Sequence, residues 1–288
     1  FKFAYFGVRC ILQRNWDKYE TISLAELIDK WGNKEVHDRI FRRLVKIKFG
    51  MDTEQLSASW LGMRLGKREA KTKFGYIPGT SWTEALINSY TERILSGKGR
   101  ILLSTPVEKI SLSKNGIEYI IVNRKRICHD YYIITMDPPA CISITDNPWF
   151  YPPEISAVEY ISSYSIIAGL PEQSFKDYWT IAFKPEMSFG GCFVLDNLNE
   201  TYRSSGDQSV IICFTNTRYK AYDISDVEYV QKVQDDLSKM LGKKIKFNWH
   251  HVSRINATAP VFKKGYRNPH FFCKNIFFAG IYTTYPLL

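Results

Sequence analysis

The chain has 288 residues, of which 45% are hydrophobic and 24% are charged, and its formal net charge is +10. This balance is typical of a globular protein with one large or two ordinary domains, and it argues against a disordered or fibrous chain. The longest apolar runs are far too short to span a bilayer, which argues against a membrane-spanning helix.

Cysteine and histidine usage argues against a disulfide framework and against a metal site. The six cysteines contain no C-x-x-C pair, and the five histidines lack the spacing of metal ligands. We therefore expect reduced thiols in a cytoplasmic protein. The sequence starts at Phe1 without an initiator Met or a signal peptide, so we expect it to begin inside a longer protein.

The first helices of the chain are predicted from capping signals. Ser23 and Glu26 have the S-x-x-E spacing of a capping box, and apolar residues follow at helical intervals as far as Trp31. Asn33 is expected to cap the next helix, and Gly50 is expected to end it.

Two further helices are predicted before residue 100. One runs from about Ser57 to Lys71. After a loop at residues 75–79, a second capping box spans Ser81 to Glu84 and opens a helix that continues towards Gly97.

Positive charge is concentrated in this helical region. Residues 30–73 contain twelve Lys or Arg and five Asp or Glu. Such a face can meet an anionic substrate, a membrane headgroup or an acidic partner, and the alternative is a solvated surface. No nucleic-acid motif accompanies the charge, so we expect no nucleic-acid partner. The cations that crowd one side of the second helix are Arg39, Arg42, Arg43 and Lys46.

After residue 100 the apolar pattern changes to that of short strands. The first group is predicted at residues 100–103, 107–112, 117–122 and 131–135, with a hairpin turn at 114–116. Residues 158–214 are strand-rich. An amphipathic helix at 225–241 is followed by strands at 246–253 and 276–279. The mixture predicts α+β domains built from segments that are not adjacent in the chain.

Four stretches, in this order, resemble one family of flavoproteins. Phe49 to Trp60 is similar to a helix-to-helix junction of that family. Phe74 to Gly79, followed by a helix and by Ile101 to Ile110, is similar to its "GY-x-x-GG" and "I-x-L-x-T-P-V-x-x-I" segments. Ile133 to Pro139 is similar to "V-V-x-T-x-P-P". Asn275 to Gly280, with Tyr285-Pro286, is similar to "N-L-F-L-A-G…Y-P".

The family that these stretches resemble is the FAD-dependent amine oxidase and protoporphyrinogen oxidase family. The resemblance implies a FAD cofactor, a small-molecule substrate and hydride transfer from that substrate to the flavin. It also implies an α/β FAD-binding region, Rossmann-like and incomplete here, plus an α+β substrate domain with a mixed sheet and a helical cap. The implied segments are 1–100 and 141–270 for the substrate domain, and 101–140 and 271–288 for the FAD-binding region.

The sequence departs from the family at both ends. Dinucleotide binding needs a G-x-G-x-x-G turn between a strand and a helix, and this sequence has none. The family often has an acidic residue where Ile281 stands and Gly-Gly where Gly79-Thr80 stands. The sequence ends at Leu288, before the family's "R-G-x-N" region. We therefore expect a chain that lacks the N-terminal dinucleotide-binding segment and the C-terminal end.

Five positions are carried over from the family as cofactor-binding residues. Val107 would read the adenine edge with its backbone, and Pro138 would turn the chain beside the flavin. Gly280 and Ile281 would approach the cofactor, and Tyr285 would face the flavin. The alternative for Val107 is an ordinary strand residue, and the alternative for Pro138 is a strand-ending turn. The alternative for Gly280 is a turn glycine, and the alternative for Tyr285 is a core aromatic residue.

No residue is singled out by the sequence as a catalytic acid or base. Aromatic residues of the strand-rich segment either line an apolar substrate pocket or pack in the core. Two other functions remain open: a non-redox flavoprotein resembling UDP-galactopyranose mutase, in which the basic helix would hold a nucleotide-sugar diphosphate, and a binding fragment without catalysis. The aromatic residues concerned are Tyr160, Tyr164, Tyr178, Trp179, Phe189, Phe193 and Phe214.

Overall fold

The computed structural model mixes helices with three β-sheets and describes most of the chain. Its described residues are 2–66, 75–173, 175–177, 179–181, 186–203, 206–217, 223–269 and 273–285. Among these residues, no helix is both long and apolar enough to cross a membrane. Phe74, Tyr178, Pro286 and the side chain of Trp179, which entered the sequence interpretation, lie outside what is described.

The helical beginning of the chain is confirmed, including its caps. Ser23 Oγ accepts a hydrogen bond from Glu26 N at 3.2 Å, and the Glu26 carboxylate accepts one from Ser23 N at 2.6 Å. Asn33 caps the next helix, and Gly50 ends it in the left-handed conformation with φ of 63°. The helices are α1 (Lys2–Leu12), α2 (Leu24–Trp31), α3 (Lys34–Val36), α4 (Arg42–Phe49) and α5 (Ala58–Gly66), with a π-helical turn at His37–Phe41.

These helices close on an aromatic core. The Trp16, Tyr19 and Trp31 rings lie 5.3 to 6.0 Å apart, centroid to centroid. Phe262 and Tyr285 reach the same core from the far end of the sequence. The helical layer is therefore completed by residues that follow β9 and β10.

The next helix, α6 (Trp82–Ser96), differs from the others because none of its residues is buried. Ser81 Oγ caps it by accepting from Glu84 N at 3.0 Å, whereas the Glu84 carboxylate accepts from the Thr80 hydroxyl. The predicted second capping box is therefore half formed.

Two small sheets follow. An antiparallel sheet contains β1 (Val107–Ser113), β2 (Gly116–Val122) and β3 (Lys125–Ile127). A parallel pair joins β4 (Tyr132–Ile134) to β10 (Ile276–Phe278). The predicted strand at residues 100–103 is wrong: the segment is an irregular turn with no described strand beside it, and Leu103 is 82% exposed.

Short helices follow β4. They are α7 (Pro138–Ser143) and α8 (Pro153–Ser156). Together with β4, β10 and part of β1 and β2 they form a buried apolar cluster. This cluster contains residues from both sides of the domain boundary predicted at residue 140. The division of the chain into domains stays a prediction.

A five-stranded antiparallel sheet carries the second half of the chain, in the order β6-β7-β8-β5-β9. A long helix, α10, packs its apolar residues against β5 and β8 of this sheet. The predicted strand at 246–253 starts later and runs further than expected. The elements are β5 (Tyr160–Leu170), β6 (Trp179–Ile181), β7 (Gly191–Val194), α9 (Leu195–Leu198), β8 (Ser209–Asn216), α10 (Asp226–Leu241) and β9 (Trp249–Pro260).

Candidate functional site

A cleft of about 750 Å³ opens where the chain leaves β4. One wall comes from the segment after β4 and includes Asp137, Pro139 and Ala140. The other wall comes from residues 158–160 at the start of β5 and residues 255–257 of β9. Ligands of open α/β sheets bind outside the carboxyl ends of parallel strands. The cleft occupies that position and faces the five-stranded sheet, so it is the candidate site.

The first wall is a helix start. Asp137 Oδ1 accepts a hydrogen bond from Ala140 N at 2.9 Å and caps α7, and the buried Pro138 occupies the first helical position. Proline is favoured there because the missing N–H would have had no helical partner. The segment at Pro138 is therefore a strand-to-helix junction, and the backbone after β4 is held firmly against the cleft.

The second wall contains a bulge in β9. Between the pairs Ile161–Ala259 and Ser163–Ile255, β9 contains two more residues than β5. The Ser162 hydroxyl donates to Asn256 O at 2.7 Å, which fixes the bulge. Bulges bend a strand and redirect its side chains, and they occur often beside active sites. Here the bulge brings residues 256 and 257 to the cleft.

Two tyrosines lie close to the first wall. Burial raises the pKa of Tyr160, and Tyr282 and Asp137 raise it further. Burial also raises the pKa of Tyr282, with smaller contributions from Cys141 and Asp137. Both hydroxyls therefore stay protonated at neutral pH. The Tyr282 hydroxyl is buried and has no hydrogen-bond partner among the described residues, which leaves a buried polar atom to be satisfied.

Both carboxylates of the cleft are already engaged. Asp137 caps α7. Glu159 forms an ion pair with Lys263. Neither carboxylate therefore stands out as a general base, and the cleft is suited to positioning a ligand.

The structure gathers four of the five predicted cofactor residues around the small sheets. Val107 begins β1, pairs with Val122 and packs against the cluster that contains Tyr282. Pro138 follows β4. Gly280 and Ile281 follow β10, and Ile281 is 40% exposed. Their contacts with a cofactor stay a prediction.

Gly280 has a structural reason to be glycine. Its φ of −173° is open to any residue, but an added Cβ would lie 2.5 Å from Cε1 of Tyr282. The Tyr282 ring therefore fills the space above Gly280. Because Tyr282 belongs to the three-residue turn after β10, this contact could not be read from the spacing of the motif.

Tyr285 lies elsewhere, in the helical core. It is buried, its hydroxyl bonds to Ser57 Oγ, and its ring lies 5.0 Å from that of Phe262. The core position, given above as an alternative, is the one observed in the structure. A contact of Tyr285 with a flavin stays a prediction.

The aromatic residues of the strand-rich segment divide between cleft and core. Tyr160 lines the cleft. Tyr164 and Phe189 are buried between the five-stranded sheet and α10. Phe193 and Phe214 stack with their centroids 5.6 Å apart.

A smaller apolar recess of about 170 Å³ lies beside the loop before α6. Tyr76, Trp82 and Tyr202 surround it with aromatic rings. The buried Asn199 links its two sides by donating from Nδ2 to Thr80 O at 3.3 Å. The recess therefore joins the loop at 75–80 to the segment after β7.

Comparison with known structures gave several matches of low sequence identity. A protein described as a protoporphyrinogen oxidase from Exiguobacterium sp. 255-15 is 18% identical, with a TM-score of 0.70 over 97% of this chain and 67% of its own. Reduced UDP-galactopyranose mutase is 14% identical, with a TM-score of 0.68 over 94% of this chain and 64% of its own.

Cyclohexylamine oxidase from Brevibacterium oxydans IH-35A is 15% identical, with a TM-score of 0.65 over 97% of this chain and 66% of its own. The chain thus spans about two thirds of the length of these proteins, and at such identities the likeness concerns the fold. A comparison with curated protein sequences gave no match. The family model for flavin containing amine oxidoreductase matches residues 14–287. Because this match covers nearly the whole sequence, the chain belongs to the flavin-containing amine oxidoreductase family.

Proposed function

We propose that the chain forms the substrate side and the flavin-ring side of a FAD-dependent oxidoreductase. The reaction is the oxidation of a C–N or C–C bond of a small molecule, with hydride transfer to the flavin. The observation that carries the proposal is the cleft between the carboxyl end of β4 and the bulged strand β9. Membership of the family supports the flavin.

The cleft fits the ring end of a flavin. Its volume of about 750 Å³ lies within the range of roughly 300–1,000 Å³ that is usual for ligand pockets. The buried Tyr282 hydroxyl lacks a partner among the described residues and could bond a polar atom of the ligand. Pro139, Ala140, Tyr160 and Asn256 would hold the ring. A bound flavin supplies a hydride acceptor.

The protein's own part in this reaction is to position the substrate and to exclude water. Tyr160 and Tyr282 stay protonated and can donate hydrogen bonds. Asp137 and Glu159 are engaged in a helix cap and an ion pair. Neither carboxylate is available as a base, which favours hydride transfer over proton transfer by a side chain.

We further propose that the pyrophosphate of FAD is held by a dinucleotide-binding unit outside these 288 residues. The sequence contains no G-x-G-x-x-G turn. Parallel sheets are normally covered on both faces, but the parallel pair exposes Tyr131 and Ile133 by 68% and 70%. The outer face of α6 is also apolar and exposed, as at Leu86 and Tyr90. A βαβ unit laid on these surfaces would bury them.

Helices α2 to α5 would then cap the substrate side. The amide of Asn216, at the end of β8, donates to the carbonyl of Ile47 in α4. Gly190, just before β7, leaves room for the Ile47 side chain, because a Cβ there would lie 2.4 Å from it. These contacts support a helical layer fixed to the five-stranded sheet.

A non-redox reaction like that of UDP-galactopyranose mutase is the second candidate. The structural similarity to that enzyme is close to the similarity to the protoporphyrinogen oxidase, with TM-scores of 0.68 and 0.70. The fold therefore supports both. A binding fragment without catalysis is the third possibility, and it is favoured only if no form of the protein holds flavin.

The test is anaerobic reduction of the flavin in the longest natural form of the protein. Mixing with a panel of amines should bleach the visible flavin bands, and oxygen should restore them. Bands that persist with every amine, together with turnover of a nucleotide sugar after chemical reduction, would contradict the oxidase and favour the mutase-like reaction. Tyr160→Phe should slow the bleaching, and Tyr202→Phe, outside the cleft, should not.

A further inference from the structure

Three cations of the basic helical region are paired with neighbouring carboxylates. Arg39 pairs with Glu35, and Lys46 pairs with Asp52. Arg42 contacts both Asp38 and Glu54. These exposed pairs contribute little to stability.

Lys48 and Arg64 are placed differently, because both cations lie against the same aromatic ring. Lys48 lies in the last turn of α4 and Arg64 near the end of α5. Lys48 Nζ is 4.9 Å and Arg64 Cζ 5.4 Å from the centre of the Trp60 ring. Within the part of the chain that the structure describes, neither cation has a carboxylate within ion-pair distance. The two positive charges therefore converge on one indole without a counter-charge.

The surroundings make this arrangement costly. Phe49 meets Trp60 edge to face at 4.8 Å, so the Lys48 ammonium sits among aromatic rings. Burial, together with the nearby charge of Arg64, lowers the pKa of Lys48 to about 7. Cation–π contacts offset part of the lost hydration, but two like charges in a partly buried site repel each other. An anion between them would remove that repulsion.

We propose that Lys48, Arg64 and Trp60 form a binding site for a phosphate group of a small molecule. Two cations from two helices match a doubly charged oxyanion, and a guanidinium can donate two parallel hydrogen bonds to it. Arg64 is exposed whereas Lys48 is half-buried, so a phosphate would meet Arg64 first as it approaches from the solvent.

The test measures the modification of lysines, and it needs no flavin, so its result is independent of the proposed function. The 288-residue chain is treated near neutral pH with an amine-acylating reagent, with and without inorganic phosphate at constant ionic strength. Mass spectrometry follows Lys48, and Lys46 of the same helix is the internal control. Phosphate should slow acylation of Lys48 at least about fivefold, because it stabilises the protonated amine. Lys46 should react at an unchanged rate.

Two variants and one further arm decide what the protection means. Arg64→Gln should abolish protection of Lys48, whereas Arg39→Gln, which breaks only an exposed pair, should retain it. Circular dichroism confirms that both variants fold. Equal acylation of Lys48 with and without phosphate, or equal protection of Lys46, would overturn the proposal. Protection by phosphatidylserine vesicles but not by phosphate would overturn the assignment to a small molecule and indicate a lipid headgroup.

Discussion

At the scale of single residues, the need for glycine at position 280 comes from a neighbouring side chain and not from the backbone torsion angles. Its backbone is extended with φ of −173°, but the Tyr282 ring occupies the place of a side chain. The sequence motif predicted a glycine beside a cofactor. The contact with Tyr282 depends on how the turn after β10 folds back, which no local spacing reveals.

Gly280→Ala should therefore destabilise the protein. A Cβ 2.5 Å from a buried ring forces a shift that typically costs about 1–3 kcal/mol. Urea unfolding measures the change in the free energy of unfolding. Gly7→Ala is the matched control: no atom lies within 4 Å of its Cβ position in α1, so alanine should stabilise by roughly 0.5–1 kcal/mol. Equal effects of the two substitutions would show that Tyr282 does not constrain position 280.

Asp137 both stabilises the fold, by capping α7, and lines the cleft. Its carboxylate caps α7 at 2.9 Å, and losing an N-cap costs about 1 kcal/mol. Asp137→Ala should lower the free energy of unfolding by this amount. Asp137→Asn, which keeps a capping oxygen, should lower it by much less. If the alanine and asparagine variants unfold at the same urea concentration, the cap does not contribute.

At the scale of elements, local sequence signals predicted the helices and the hairpin that are determined by residues close together in the sequence. Capping residues predicted α2, an amphipathic pattern predicted α10, and an Asn-Gly turn predicted the β1–β2 hairpin. The parallel pairing of β4 with β10 joins segments that are far apart in the sequence, so no local pattern specifies it. The segment at 100–103 has an apolar strand-like composition, but among the described residues no strand lies beside it, which is why its prediction was wrong.

The exposed face of α6 should tolerate charge in this chain. Leu86 and Tyr90 are 56% and 63% exposed, so Leu86→Glu combined with Tyr90→Glu should change the free energy of unfolding by less than about 0.5 kcal/mol. Val233→Glu in α10 is the control, because its fully buried charge should cost at least about 3 kcal/mol.

In a longer form that binds flavin, the same pair of charges should reduce the flavin content. The charges would oppose the docking of the dinucleotide-binding unit on α6. Absorbance of flavin per protein after gel filtration measures this. A normal flavin content would contradict the proposed cover for α6.

At the scale of the whole molecule, the candidate site lies between the segment after β4 and the five-stranded sheet. The family resemblance predicted the segments at Pro138 and Gly280, and the composition predicted aromatic residues such as Tyr160. Asn256, which lines the cleft, was missed, because the bulge in β9 brings it there. Tyr282 was missed, because a short turn places its ring over Gly280. The sequence therefore predicted the end of β4 at the cleft but not the residues that the bulge and the turn bring into place.

The most direct test of the account is flavin retention by the 288-residue chain. The purified chain is incubated with FAD or riboflavin, desalted, and examined in the visible flavin bands. Because the sequence has no phosphate-binding glycine turn, the diphosphate of FAD should add no affinity. Without a bound diphosphate, a backbone contact between Val107 and the adenine should add little. We expect that neither flavin is retained, and that the two dissociation constants are indistinguishable by equilibrium dialysis. One FAD retained per chain would contradict it.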